Sequence, residues 1–318
     1  MQKITQKLGA FWQFGRPHTI IGTCLSTIAL FAIALVPYKL ELTLAPIPSL
    51  LWAAIACLCG NVYIVGLNQL EDVEIDKINK PYLPLASGDF SIPTGRAIVA
   101  VMGILAVAIA IWQGVFLAAT VLISLFLGTI YSLPPIRLKR FPFWAAFCIF
   151  TVRGIVINLG LFLHFQQVLS HLFANNLDSI KLDSIWSIPS SVWGLTGFVL
   201  IFTYVIAIFK DMPDTEGDAK FRITTLTLTL GQVTVFNLSR QILAVLYLGF
   251  AILSFTPWLT GVHAIALAIS HSILLSVLWW QSLQVDLSDR TSITDFYQLI
   301  WKFFYLEYII FPAVCIFA

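Results

Sequence analysis

The chain has 318 residues, 59% of them apolar or aromatic and only 11% charged, with a formal net charge of +2. Soluble globular chains run at roughly 45–50% apolar and about 25% charged. A soluble enzyme, a disordered chain, a collagen-like rod and a secreted disulfide scaffold are therefore excluded. The near-neutral charge gives no reason to expect a nucleic-acid partner, and no protein partner can be inferred.

Apolar runs long enough to cross a bilayer predict nine membrane helices, near 17–37, 49–70, 94–113, 115–133, 141–164, 191–211, 235–256, 259–281 and 297–317. The fold class is therefore an all-α polytopic membrane bundle, expected to form a single domain over residues 1–318. The N-terminal run MQKITQKLGAFWQFGRPHTI has basic residues ahead of an apolar stretch. No small-x-small cleavage site follows, so it reads as a first membrane helix rather than a signal peptide. A Ser- and Arg-rich transit segment is also absent, which favours a bacterial or cyanobacterial chain. Cys24, Cys57, Cys59, Cys148 and Cys315 are odd in number and lie in apolar stretches, so they read as packing residues. The segment 165–190 is the one sizeable loop on the far side, and it carries no recognisable chemistry.

Of the 18 basic residues, 15 fall on the side of the N-terminus. Lys39 and Lys181 fall on the other side, and Arg153 falls within the fifth helix. This asymmetry places the N-terminus and the even-numbered loops in the cytoplasm. The loops after the second and sixth helices are four crossings apart, so they share that face. They are also the two most acidic segments of the chain.

The first acidic segment holds Asn68, Asp72 and Asp76, spaced four apart and so on one face of a continuing helix. The second, Lys210-Asp211-Met-Pro-Asp214-Thr-Glu-Gly-Asp218, places three aspartates on one face if its helix continues, although Pro213 and Gly217 mark a helix near its end. Such clusters can be solvated acidic loops. Two of them on one side, at the ends of apolar helices, are better explained by a bound cation. Magnesium is usually held by a few carboxylates together with substrate phosphates, which suits a diphosphate bridged by Mg²⁺. An EF-hand reading of 72–76 fails because Lys77 stands where that loop needs glycine.

Candidate phosphate contacts are Lys80, Lys210 and the cations Arg137 and Lys139 of the loop Tyr131–Arg140, although that loop also fits an ordinary cytoplasmic anchor. An unpaired cation inside a membrane helix is expensive, so Arg153 should face a cavity or a partner. Asn158, five residues on, falls on a neighbouring face of an α-helix. The histidines read as helix–helix hydrogen-bond partners.

These residues resemble the UbiA superfamily of intramembrane prenyltransferases, whose members are nine-helix bundles. The family carries NxxxDxxxD after the second helix and a KDxxDxEGD-type motif after the sixth. The matches here are Asn68, Asp72 and Asp76, then Lys210, Asp211, Asp214, Glu216, Gly217 and Asp218. Many members have a tyrosine four residues before the lysine, where this chain has Ile206, and Tyr204 is not a clean substitute. Stretches at 66–91, 131–143, 151–165, 207–218 and 296–312 look like the homogentisate branch, and most like its cyanobacterial phytyl-transferring members.

The resemblance implies Mg²⁺-dependent transfer of a phytyl group from phytyl diphosphate to homogentisate with loss of CO₂. The product would be 2-methyl-6-phytyl-1,4-benzoquinol, a step toward tocopherol, made in a cyanobacterial plasma or thylakoid membrane. Asp72 and Asp76 would hold one metal and Asp211, Asp214 and Asp218 the other. Asn68 would be an oxygen ligand or orienter, Lys80, Arg137, Lys139 and Lys210 would contact phosphate, and Arg153 would anchor the small aromatic acceptor. Alternatives are geranylgeranyl or solanesyl transfer to homogentisate, or prenylation of 4-hydroxybenzoate, dihydroxynaphthoate or a chlorophyllide. A cation-coupled transporter would scatter charges deep in several spans, whereas here they cluster at one face.

Overall fold

The structure is a computed structural model describing residues 2–38, 44–173, 187–221 and 223–318. Lys39, Lys181, Arg222 and residues 174–186 of the 165–190 loop lie outside the described residues, as does the side chain of Lys3. Among the described residues, nine helical segments are long and apolar enough to cross a membrane. They are α2 (Pro17–Leu35), α3 (Ile47–Glu71), α6 (Ile92–Gln113), α7 (Val115–Ser132), α8 (Pro142–Phe150) running on into α9 (Ile157–Phe173), α10 (Ser190–Phe209), α13 (Gln232–Leu253), α14 (Ala264–Ser282) and α15 (Arg290–Ile316). An amphipathic α1 (Gln2–Phe14) precedes them. The short helices α4 (Val73–Asn79), α5 (Pro84–Ser87), α11 (Thr215–Lys220) and α12 (Leu226–Leu230) connect them at one end.

The spans match the nine expected, with two informative differences at their ends. The fifth runs to Phe173 instead of stopping near 164, because the polar-looking QQVLSHLF is amphipathic: Phe165, Leu169 and Phe173 recur every four residues and are buried. The ninth begins at Arg290 instead of near 297. Asp289 caps it there, its carboxylate accepting from the amides of Thr291 (2.9 Å) and Ser292 (3.3 Å).

Lipid is as apolar as leucine, so these helices are held together by close packing and internal polar contacts more than by escape from water. Fully buried Ala53, Ala56, Ala106 and Ala110 bring α3 and α6 into close contact. Successive contacts of α2 with α3, α3 with α7, α7 with α9, α8 with α10, α10 with α13, α13 with α14, α14 with α15 and α15 with α2 close the spans into a ring. At the end remote from the short helices, α2 also packs on α9. The pairs Phe31–Phe165 and Tyr38–Phe173, with ring centroids 5.2 and 5.1 Å apart, fill that end. The ring therefore encloses a chamber that is stoppered at one end and open at the other.

Candidate active site

The open end is built from the two acidic segments. α3 stops at Glu71, and Asp72 stands at the break before α4 with φ −115° and ψ 15°. The Asp76 amide still bonds the Asp72 carbonyl at 2.7 Å, so Asn68, Asp72 and Asp76 all keep facing one cavity. Asn68 donates through Nδ2 to Asp72 Oδ2 (3.1 Å) and accepts at Oδ1 from Arg16 Nη2 (3.2 Å). Asp72 also accepts from Arg137 Nη2 (2.9 Å) and Lys139 Nζ (2.6 Å). Arg137 and Lys139 thus hold Asp72, and Asn68 works here as an orienter between Arg16 and Asp72.

The second segment departs from the helical reading. α10 ends at Phe209, the chain turns through Lys210–Asp214, and α11 starts at Thr215. Pro213 has no amide hydrogen to carry α10 forward, so Asp211 lies in the turn, Asp214 at the cap of α11 and Asp218 within it, and the three do not share one continuous helix. Lys210 pairs with Asp211 at 2.6 Å, and Lys80 pairs with Asp214. Asn79 stitches the two segments together. It donates through Nδ2 to Asp218 Oδ1 (3.3 Å) and accepts at Oδ1 from the Gly217 amide (2.9 Å). A Cβ at position 217 would come 2.6 Å from Asn79 Cγ, so this approach requires glycine.

The electrostatics sort the carboxylates into two groups. Asp72, Asp211 and Asp214 each face a lysine. Asp76 and Asp218 are buried and have no basic ion-pair partner among the described residues. Burial pushes Asp76 up to about 6 against the pull of Arg16 and Lys80. Burial, then the neighbouring Asp211 and Asp214, push Asp218 up to about 7. Burial raises Asp211 too, opposed by Lys210. Burial alone would lower Lys210, but Asp211 outweighs it and the ammonium stays well above its ordinary range. Asp76 Oδ2 is buried with no hydrogen-bond partner, an orphaned acceptor of the kind a hard cation satisfies. Among the described residues no three His, Cys, Asp or Glu side chains converge into a cage. This donor set fits Mg²⁺, which keeps waters and shares substrate phosphates instead of filling an all-protein cage.

The cavity at this mouth measures about 800 Å³ and is lined by the acidic segments together with Lys80, Lys139 and Lys210. It opens onto a narrower, mostly apolar chamber of about 220 Å³ inside the ring. Arg16, His18, Asn68, Tyr131, Lys210 and Tyr297 line both and form the neck between them. Arg16, Asn79, Tyr131, Tyr297 and Arg290 were not singled out by sequence reasoning. Arg16 had a signal, a lone cation directly before the first membrane span, and its backbone takes φ 55° there. Asn79, Tyr131 and Tyr297 lie in stretches that resemble the family but were given no role there, and with Arg290 they reach the mouth only through the fold. Ile206 lines the chamber wall, and Tyr131 and Tyr297 bring phenols to the neck from other helices. Arg153 projects into the chamber, its Cζ 5.0 Å from the centre of the Trp301 ring, with no ion pair among the described residues.

A membrane ring that seats anionic chemistry at its mouth and apolar chemistry in its interior defines an intramembrane enzyme for a substrate with a charged head and a hydrocarbon tail. Comparison with known proteins agrees. The model of the UbiA prenyltransferase family matches residues 16–306. Homogentisate phytyltransferase of Synechocystis sp. is 49% identical, covering 95% of this chain and 94% of that protein. Homogentisate phytyltransferase 1 of Arabidopsis thaliana is 40% identical over 96% of this chain and 75% of its own length. A wheat homogentisate geranylgeranyltransferase is 39% identical over 98% and 74%. Among solved structures, a UbiA homologue from Archaeoglobus fulgidus bound to GPP and Mg²⁺ superposes with a TM-score of 0.60 at 13% identity, covering 96% of this chain and 100% of that one. The chain belongs to the UbiA prenyltransferase family.

Proposed function

We propose that this protein transfers a phytyl group from phytyl diphosphate to homogentisate, with Mg²⁺ as cofactor, giving 2-methyl-6-phytyl-1,4-benzoquinol in tocopherol synthesis. The observation that carries this reading is the neck: Lys210 and Arg16 border the charged mouth and the apolar chamber at once. A diphosphate held at the mouth therefore has its C1–O bond at the entrance to a dry interior. The choice of donor and acceptor is supported by the 49% identical Synechocystis phytyltransferase.

In this reading Asp72 and Asp76 would hold one Mg²⁺ and Asp211, Asp214 and Asp218 the other, and the metal would supply positive charge against that of the departing diphosphate. The remaining work falls to the chain's own side chains. Lys80 and Lys210 already lie among the carboxylates and can turn to phosphate oxygens, while Arg137 and Lys139 hold and orient Asp72. As the C–O bond breaks, the allylic cation forms beside aromatic walls, with Tyr297, Trp301 and Phe304 lining the chamber. The stoppered ring excludes water that would otherwise capture the cation. The electron-rich ring of the acceptor forms the new C–C bond and loses a ring proton. The side-chain carboxyl leaves as CO₂, and its methylene takes up a proton to become the methyl group. Arg153, a cation in the chamber without an acidic partner among the described residues, anchors that carboxylate. The N-terminus and the mouth face the cytoplasm, where both substrates are charged and soluble at their heads.

The test uses membranes expressing the chain, incubated with radiolabelled homogentisate and Mg²⁺. Phytyl, geranylgeranyl and solanesyl diphosphate are offered separately, with an EDTA control. A labelled lipid formed best from phytyl diphosphate and lost with EDTA is the expected result. Preference for another donor would move the chain to the geranylgeranyl or solanesyl reading. No labelled lipid from any donor would refute the homogentisate acceptor.

A further inference from the structure

Span five is helical from Pro142 to Phe173, but between Thr151 and Val156 it opens into a π-helical turn. The Ile157 amide bonds back five residues to the Val152 carbonyl. Such turns insert one extra residue, break the ordinary hydrogen-bond ladder and occur often at functional sites. Arg153 lies inside this one. We propose that Asn158 and Tyr308 are positioning residues that hold this turn in shape and so aim the Arg153 guanidinium at the acceptor's carboxylate.

The side chain of Asn158 bonds the turn's loosened carbonyls. Its Nδ2 donates to the Gly154 carbonyl at 2.8 Å and to the Arg153 carbonyl at 3.3 Å. Asn158 follows the turn directly, so its side chain reaches back over the carbonyls four and five residues before it, where the i→i−5 bonding of the turn has loosened the ladder. The remaining acceptor of Asn158, Oδ1, takes the Tyr308 hydroxyl at 2.9 Å. Asn158 is completely buried and Tyr308 is 3% exposed, so this bond has no competition from water. On the opposite side the turn rests directly on the backbone of α10: a Cβ on Gly154 would lie 2.6 Å from Leu200 Cα.

Tyr308 belongs to α15, which also supplies Trp301, the ring beneath the Arg153 guanidinium. Seven residues separate them, two turns, so they share one face of that helix. One rigid element thus fixes both ends of the cation, its backbone through Tyr308 and Asn158 and its head through Trp301. The third wall is Gly22, where an added Cβ would meet Arg153 Nη1 at 3.4 Å. A long flexible side chain so confined has already lost most of its rotamer freedom, and it can bind a planar carboxylate without further ordering cost. A substrate head of the wrong charge would leave the buried guanidinium uncompensated, so the same device discriminates among acceptors.

This inference rests on the homogentisate reading, and the test separates the two. Equilibrium binding of radiolabelled homogentisate is measured on purified protein in lipid nanodiscs, for the wild type, Tyr308→Phe, Arg153→Gln and the double variant. Tyr308→Phe removes one oxygen and keeps the ring packed. It is expected to weaken homogentisate about tenfold, the loss of one buried hydrogen bond's worth of positioning, while the KM for phytyl diphosphate stays within about twofold. In the Arg153→Gln background the same change should have no further effect on binding, because nothing remains to be aimed. Wild-type binding with an unchanged affinity in Tyr308→Phe would overturn the positioning role alone. Equal additional loss in the double variant, or parallel loss for both substrates, would do so too, by showing a general packing defect. Failure of the wild type to bind homogentisate at all would overturn the acceptor reading and this inference with it.

Discussion

At the scale of single residues, the mouth pairs Asp72, Asp211 and Asp214 each with a cation that keeps it in place. Asp72 carries two cations and an amide, and Asp214 carries Lys80. An Asn substitution at either position keeps the shape and removes the charge, leaving a half-buried cation without its partner. We expect Asp72→Asn and Asp214→Asn each to lower turnover at least about a hundredfold, the scale on which charge-stabilising groups act. Expression and detergent-extractable yield should stay near wild type. Near-normal product formation in either variant would remove that carboxylate from the proposed metal set. The residue scale is also where the sequence was most readable. Asn68, Asp72, Asp76, Lys210, Asp211, Asp214 and Asp218 all face the mouth cavity, because spacing and composition reveal local charge. Asn79 shows the limit: its amide joins two segments 138 residues apart in sequence, a pairing with no local signature.

At the scale of elements, the spans depend on polar contacts made inside the bundle. His271 on α14 and Glu307 on α15 are both fully buried, with His271 Nε2 3.5 Å from Glu307 Oε2. The rings of Phe198, Tyr247 and Phe250 surround the imidazole at centroid distances of 5.4, 5.4 and 6.2 Å. Removing one of two buried polar neighbours strands the other, whereas replacing both with apolar groups does not. His271→Leu alone should therefore lower the aggregation temperature of the detergent-solubilised protein, on the scale of one stranded buried polar group, about 1–3 kcal/mol. Adding Glu307→Leu should recover most of that loss, measured as the aggregation temperature of each variant. A double variant no better than the single would show that the pair acts otherwise. The π turn belongs to the same scale: apolar run length finds a span over 141–164, but no local signal marks the extra residue at 151–156, where Gly154 lies against α10 and Asn158 is held by Tyr308.

For the whole molecule, the closed ring forces two acidic loops together at one end and buries part of their charge. Asp76, raised to about 6, and Asp218, raised to about 7, both start from an unfolded value of 3.8. Between those values and the unfolded one the folded chain binds more protons than the unfolded chain, so stability falls as pH rises. In EDTA, the solubilised protein should melt at a higher temperature at a pH of about 5.5 than at about 8. Mg²⁺ supplies the missing positive charge and should remove most of that difference, by raising the melting temperature chiefly at the higher pH. A metal-free protein equally stable at both values would show that these carboxylates are not strained by burial.

The sequence by itself determined the class of the molecule and which charged residues gather at its mouth. Apolar run lengths fixed nine spans, crossing parity put both acidic loops on one side, and four-residue spacing aligned the first set of carboxylates. These are properties of short windows, and short windows carry them faithfully. Only the tertiary structure decided which cation holds which carboxylate, that the second motif is broken by a turn, and that Arg16, Tyr131 and Tyr297 form the neck. It alone placed Trp301, Asn158 and Tyr308 around Arg153. Those arrangements join residues far apart in the chain. They arise when helices pack closely enough to exclude lipid and water, so each buried polar group must find its partner on another helix.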